Sequence, residues 1–264
     1  MRAVEAQDIL DLAAGGARRA GDLLLERFRR PATGLATKSS PTDLVSDADR
    51  DAEQLLFDHI RAARPQDAIL GEEGGESAGG GELTWVLDPL DGTVNFLYGI
   101  PAWCVSVAAM DERGHLVGVV HDPLHDETFT AVRGGGARLD GSPVRVSEKG
   151  DLSTALVATG FSYDPEIRDA QAEVVRRVLP RVRDIRRAGS AALDLCSVAC
   201  GRVDAFYEAW MGPWDRAAGE LIAREAGAVV SDLTPPKGDE KGAVVAGPAI
   251  HDAIFELVTV PELR

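Results

Sequence analysis

The chain has 264 residues, 45% apolar and 27% charged, which is ordinary globular usage near the upper size of a single hydrophobic core. Its formal net charge of −15 argues against nucleic acid or an anionic membrane as a partner. No apolar run is long enough to span a bilayer and the first residues lack an apolar signal core. Three cysteines (Cys104, Cys196 and Cys200) make no secreted disulfide framework, so a cytoplasmic protein is expected.

Apolar residues at Ile9, Leu12, Ala13, Ala17, Ala20, Leu23, Leu24 and Phe28 recur at helical spacing and predict a helix from Val4 to Phe28, stopped by Pro31. Residues 30–45 read as an exposed loop or hairpin, and a second helix is expected from Ser46 to Ala63. A short strand, Asp67 to Leu70, leads into Glu72-Glu73. The glycine-rich segment Gly74 to Gly81 has no Lys-Ser/Thr, so it reads as a flexible connection and not as a nucleotide-cradling loop. Trp85 to Leu87 is an apolar run of the buried-strand kind, which Pro89 is expected to end. From Trp103 to Val146 the strands Val105–Val107, Leu116–Val120, Thr128–Val132 and Ala137–Leu139 alternate with turns, as in an antiparallel meander. His121 and His125 have the H-x-x-x-H spacing, but Pro123 between them places both on a surface turn.

The second half alternates strand and helix: Ala155–Ala158, a helix from Pro165 to Leu179, Asp184–Arg186, a helix from Ser190 to Ala199, Ala205–Tyr207 and a helix from Asp215 to Ala226. Short strands at Val229–Val230 and Ala243–Ala246 and a helix from Ala249 to Val258 complete it. Cys196 and Cys200, four apart in an apolar helix, share a face and read as packed thiols, since the further ligands of a zinc site are missing. Such mixed blocks mean a layered α/β protein. One domain over 1–264 is expected, with lobes of about 1–150 and 151–264.

The chemistry concentrates in Trp85-Val86-Leu87-Asp88-Pro89-Leu90-Asp91-Gly92-Thr93-Val94-Asn95-Phe96. Asp88 and Asp91, fixed where a strand ends, are hard oxygen ligands suited to Mg²⁺ or Ca²⁺. Gly92-Thr93 supplies closely approachable N–H groups and a hydroxyl, which suit a phosphate oxygen. A phosphate dianion and a cluster of carboxylates are compatible only with cations between them, so the metal is obligatory in this reading.

This stretch, together with Lys38-Ser39-Ser40-Pro41-Thr42-Asp43-Leu44-Val45-Ser46, Gly71-Glu72-Glu73 and Trp214-Asp215-Arg216-Ala217-Ala218-Gly219 running on to Glu225-Ala226-Gly227-Ala228, resembles the Mg²⁺-dependent, Li⁺-sensitive phosphomonoesterases typified by inositol monophosphatase. The resemblance spans nearly the whole chain and implies a five-layer αβαβα sandwich, a homodimer, and two or three Mg²⁺ per site. By the same resemblance Glu72, Asp88 and the Leu90 carbonyl hold one ion, and Asp88, Asp91 and Asp215 a second; Glu72 also serves a third. Thr93 and Asp49 position the attacking water, and Gly92 and Thr93 bind phosphate. Lys38 and Asp43 belong to the entrance loop. Asp91, Gly189, Ser190, Ala191, Glu208 and Asp215 meet the substrate, a small phosphorylated polyol such as myo-inositol 1-phosphate. Relatives with the same metal motifs cleave histidinol phosphate, fructose 1,6-bisphosphate, NADP or nucleotide 3′-phosphates, and one bacterial relative is linked to the transcription machinery. Trp210, a bulky residue between Glu208 and Asp215, departs from the pattern at the pocket rim.

Overall fold

Helix α1 (Ala3–Arg27) buries Ile9, Ala13, Ala17, Ala20 and Leu24 as one stripe, and its alanines let helix α2 (Asp47–Ala63) approach closely. Ser46 starts α2: its hydroxyl accepts the Ala48 N–H at 3.2 Å, while Asp49 accepts the Ser46 N–H at 2.9 Å. Between the helices, β1 (Ala36–Thr37) and β2 (Leu44–Val45) pair as the expected hairpin. The computed structural model describes residues 3–38, 44–235 and 241–259, so Asp43 lies outside the described residues.

The first half continues as β3 (Ala68–Gly71), β4 (Gly75–Ser77), β5 (Thr84–Asp91), α3 (Thr93–Tyr98), β6 (Cys104–Asp111), β7 (Gly114–Asp122), β8 (Glu127–Val132), β9 (Gly136–Leu139) and β10 (Ser142–Pro143). Its strands from β3 on form an eight-stranded sheet in the order β10-β9-β8-β7-β6-β5-β3-β4, antiparallel except between β3 and β5. The second half is β11 (Leu156–Thr159), α4 (Pro165–Val178), β12 (Asp184–Arg186), α5 (Ala191–Ala199), β13 (Ala205–Glu208), α6 (Pro213–Glu225), β14 (Val229–Leu233), β15 (Gly242–Ala246) and α7 (His251–Val258). Its sheet runs β12-β11-β13-β15-β14.

Three apolar layers hold these elements together. One packs α1 and α2 on the large sheet around Trp85, Leu87, Trp103 and Val107. The second surrounds α5 and α6, between the two sheets, with Leu195, Phe206, Leu221 and Ile222 at its centre. The third covers the outer face of the small sheet, where Val157, Val244 and Ile254 meet and α4 lies against α7. The result is an αβαβα sandwich. Among the described residues no helix is long and apolar enough to cross a membrane.

Several local expectations change. Pro89 does not end its strand: β5 runs on to Asp91, with a register shift against β6 where Asp88 pairs with Ser106 and Asp91 with Cys104. Three residue steps on β5 oppose two on β6, a bulge at which a missing N–H costs the ladder little. Part of the Gly74–Gly81 segment is strand β4, at the sheet edge on β3. His121 is not on a turn: it is buried near the end of β7, with Nδ1 3.0 Å from the Thr128 hydroxyl, because β7 continues past it before Pro123. Cys196 is buried in α5, while half-buried Cys200 is its C-cap; both are free thiols.

Candidate active site

The β5 bulge puts Asp88 and Asp91 on the same side of the strand end, and the first turn of α6 brings Asp215 to them. Pro213 suits the first helical position, and the Asp215 carboxylate accepts the Gly212 N–H at 2.6 Å. One oxygen from each of Asp88, Asp91 and Asp215 lies within 4.8 Å of the others. Asp91 is braced further by the start of α5, accepting from the Ser190 hydroxyl at 2.6 Å and the Ala192 N–H at 2.7 Å. Asp88 accepts the Leu90 N–H at 3.0 Å.

Burial, and then the neighbouring carboxylates, push Asp88 and Asp215 well above the usual carboxylate range. Burial also raises Asp91, against the lowering effect of its Ser190 and Ala192 hydrogen bonds. Fixed and mutually repelling oxygens are short of positive charge, and an all-oxygen donor set fits a hard cation such as Mg²⁺. The Leu90 carbonyl keeps one lone pair beyond the contact it makes with Thr93 at 3.1 Å.

Glu72 follows β3 and stands beside this group, not within it. Its N–H donates to Leu87 O on β5 at 3.2 Å, and the nearby Glu72 charge helps to raise Asp88. Lys38, expected at a solvated entrance, is mostly buried: its Nζ is 2.7 Å from Glu72 Oε1 and also pairs with Glu73. Burial opposes the Lys38 charge, but Glu72 and Glu73 outweigh it and raise its pKa. Glu73 is pushed up to about 7, by burial first and by Glu72.

Thr93 opens α3, and its hydroxyl lies 2.9 Å from Asp49 Oδ1. Asp49 is 1% exposed and also accepts the Ser46 hydroxyl at 2.6 Å, so it is the inward member of an acidic helical run. Its neighbours Asp47 and Asp51 are more exposed. Gly92, between Asp91 and Thr93, has φ +96°, and a Cβ there would stand 2.8 Å from Ala102 O; only glycine fits.

A cleft of about 1230 Å³ opens over these groups, with Glu72, Asp91, Gly92 and Asp215 along one side. The other side is built from the second half of the chain: Gly160, Arg187, Gly189, Ser190, Asp194, Glu208 and Trp210. Ser190 caps α5, with Ala191 as its first residue. Glu208 ends β13 and occupies the space a Cβ on Gly160 would take. Burial raises Glu208 to about 8 despite Arg187, and raises Asp194 to about 8 with help from Glu208 and Asp91. Trp210 has φ +62°, an uncommon conformation for a bulky residue, which turns the chain at the rim. Asp194 escaped the sequence analysis, although it follows Ser190 by one helical turn on the same face. Glu53, one turn after Asp49, escaped it in the same way.

The comparisons with known proteins agree over most of the chain. The model of the inositol monophosphatase family matches residues 5–259. The chain is 48% identical over 228 residues to a Mycobacterium tuberculosis inositol-1-monophosphatase SuhB, covering 83% of this chain and 79% of that protein. It is 42% identical over 228 residues to the Nus factor SuhB of Escherichia coli K12, covering 86% and 85%. The crystal structure of the Bartonella henselae extragenic suppressor protein suhB superposes with a TM-score of 0.88 at 36% identity, over 95% of this chain and 98% of that one. With a match from residue 5 to residue 259 and relatives of this similarity, the chain belongs to the inositol monophosphatase family.

Proposed function

We propose that this protein is a Mg²⁺-dependent phosphomonoesterase whose substrate is a small phosphorylated polyol, myo-inositol 1-phosphate first among the candidates. The observation that carries the reading is the convergence of Asp88, Asp91 and Asp215 within 4.8 Å beside a hydroxyl-carboxylate pair. Glu72, Asp88 and the Leu90 carbonyl would hold one ion, and Asp88, Asp91 and Asp215 a second. Bound Mg²⁺ supplies the positive charge that admits a phosphate dianion, acidifies water and neutralises a leaving alkoxide. Asp49 takes the Thr93 hydroxyl hydrogen, so the Thr93 oxygen is left to accept from a water and aim it at phosphorus. Gly92 and Thr93 present their N–H groups to a phosphate oxygen. Glu208 accepts hydrogen bonds from substrate hydroxyls; Gly189, Ser190 and Ala191 shape the floor beneath them. No covalent intermediate with the protein is required.

The test is phosphate release from inositol 1-phosphate, histidinol phosphate, fructose 1,6-bisphosphate, NADP and a nucleotide 3′-phosphate, each with Mg²⁺ and with excess EDTA. Release that needs Mg²⁺ and is fastest with inositol 1-phosphate is expected. Turnover that persists in EDTA would sink the metal reading. Silence on all five substrates would favour a binding role of the kind the Escherichia coli relative's name describes.

A further inference from the structure

The turn that carries Glu72 rests on a second acid, Glu53. This residue lies on α2, one turn beyond Asp49, and is 8% exposed. Its Oε2 accepts the Glu73 N–H at 2.9 Å. A Cβ on Gly71 would overlap the same carboxylate, and one on Gly74 would stand 2.6 Å from Oε1. The stretch Gly71-Glu72-Glu73-Gly74 therefore has a glycine on each side because the Glu53 carboxylate fills the space beneath it. The two successive N–H groups of the turn are tied to different elements: Glu72 N–H to Leu87 O on β5 at 3.2 Å, and Glu73 N–H to Glu53 on α2. An apolar side chain would fill the same volume without burying an acid but would leave the Glu73 N–H without its acceptor, so the carboxylate is kept at a cost. Its return is the fixed direction of Glu72.

We propose that Glu53 is a positioning residue, which holds the Glu72–Glu73 turn against α2 and thereby aims Glu72 at the metal site. The inference rests on the metal-dependent reading of Asp88, Asp91 and Asp215. Glu53 itself touches neither metal nor substrate; it acts through the Glu73 N–H. Removing it leaves that part-buried N–H without its acceptor and loosens the turn on which Glu72 sits, as happens when the outer partner of a metal ligand is lost. The same change frees Glu73, the other partner of Lys38, so the Lys38 ammonium is then held mainly by Glu72.

The experiment uses the full chain and three variants, Glu53→Ala, Glu53→Gln and Glu53→Asp, each read by Mn²⁺ binding and by Mg²⁺-dependent phosphate release. Glu53→Ala is expected to weaken Mn²⁺ binding and to raise the half-saturating Mg²⁺ by at least about tenfold. At saturating metal its kcat should stay within about threefold of the unaltered chain, since a positioning defect is one that excess metal repairs. Glu53→Gln, whose amide oxygen can still accept the Glu73 N–H, should recover most of the affinity. Glu53→Asp, one methylene too short, should behave like Glu53→Ala although it keeps the charge. In a Glu72→Gln background, Glu53→Ala should add little, because its effect runs through Glu72.

Wild-type metal constants in a folded Glu53→Ala or Glu53→Asp protein would overturn the proposal, as would a loss that adds in full to that of Glu72→Gln. A fall in melting temperature with unchanged metal constants would reduce Glu53 to a structural role. Should Glu53→Ala fail to fold, the contrast between Glu53→Gln and Glu53→Asp decides. Absence of metal binding by the unaltered chain would overturn the parent reading, and this inference with it.

Discussion

The two walls of the cleft are built from acids held in opposite ways. On the side of the large sheet and the start of α6, each carboxylate is braced by the protein: Asp91 by Ser190 and Ala192, Asp88 by the Leu90 N–H, and Asp215 by the Gly212 N–H. On the side of the small sheet, Glu208 and Asp194 are raised by burial and answer, among the described residues, to the charges of Arg187 and Asp91, with Glu208 also acting on Asp194. A braced acid keeps its oxygens in one place, which is what a metal with strict geometry needs. An unbraced buried acid is left wanting a partner, which is what a pocket for a hydroxyl-rich ligand offers. On the proposed function the contrast divides chemistry from specificity, and it can be attacked from either side.

The largest expected effect comes from the braced wall. Asp88→Asn removes a charge that two metal sites would share and should lower phosphate release by at least about 10²-fold, with folding retained by circular dichroism. Wild-type turnover in that folded variant would remove the division altogether. On the other wall, Glu208→Gln should weaken kcat/KM for inositol 1-phosphate by about 1–3 kcal/mol, the scale of leaving a buried hydrogen-bond partner unpaired, and hardly change hydrolysis of an aryl phosphate. Equal losses on both substrates would move Glu208 to the metal side of the comparison.

Gly160→Ala sharpens the same point without touching an acid. The new methyl would overlap the Glu208 carboxylate, the free end of a flexible side chain, and should displace it with little cost in stability. Loss of polyol preference in the direction of Glu208→Gln, but no larger, is expected from the two-substrate ratio. An unchanged ratio would mean that Glu208 does not read the substrate from this position.

The smallest effect is one of pH. Glu208 and Asp194 titrate near 8 in the folded chain, well above ordinary carboxylates in an unfolded one. Between about pH 4.5 and 8 the folded state therefore binds more protons than the unfolded state, and stability falls as pH rises through that window. Thermal melts in EDTA should show the melting temperature declining from about pH 5 to pH 8, with Asp88, Asp91, Asp215 and Glu73, whose carboxyls are raised as well, adding to the decline. Glu208→Gln should flatten the decline. A slope left unchanged by Glu208→Gln would show that this unbraced acid carries no such strain.

Much of this protein was legible in its residues. Helical spacing from Ile9 to Leu24 and alternation from Val105 to Leu139 placed α1 and the meander, since burial on one face imposes its period locally. The four motifs marked Glu72, Asp88, Asp91, Thr93 and Asp215 as candidates, and pointed to the family that the comparisons show. Other features depend on contacts between distant segments, and no local pattern encodes those. The Pro89 bulge exists because β6 lies alongside, and Asp49 faces inward because Thr93 arrives from 44 residues away. His121 is buried because β8 presents Thr128 to it. Lys38 pairs with Glu72 and Glu73, and Glu53 supports their turn, only because the loop before α2, the helix itself and the end of β3 are packed together. The sequence by itself determined which residues could do the chemistry, because residue type and spacing set ligand hardness and helix face. Tertiary structure alone decided which acids are braced and which are left open, because hydrogen-bond partners and burial come from segments far apart in the chain.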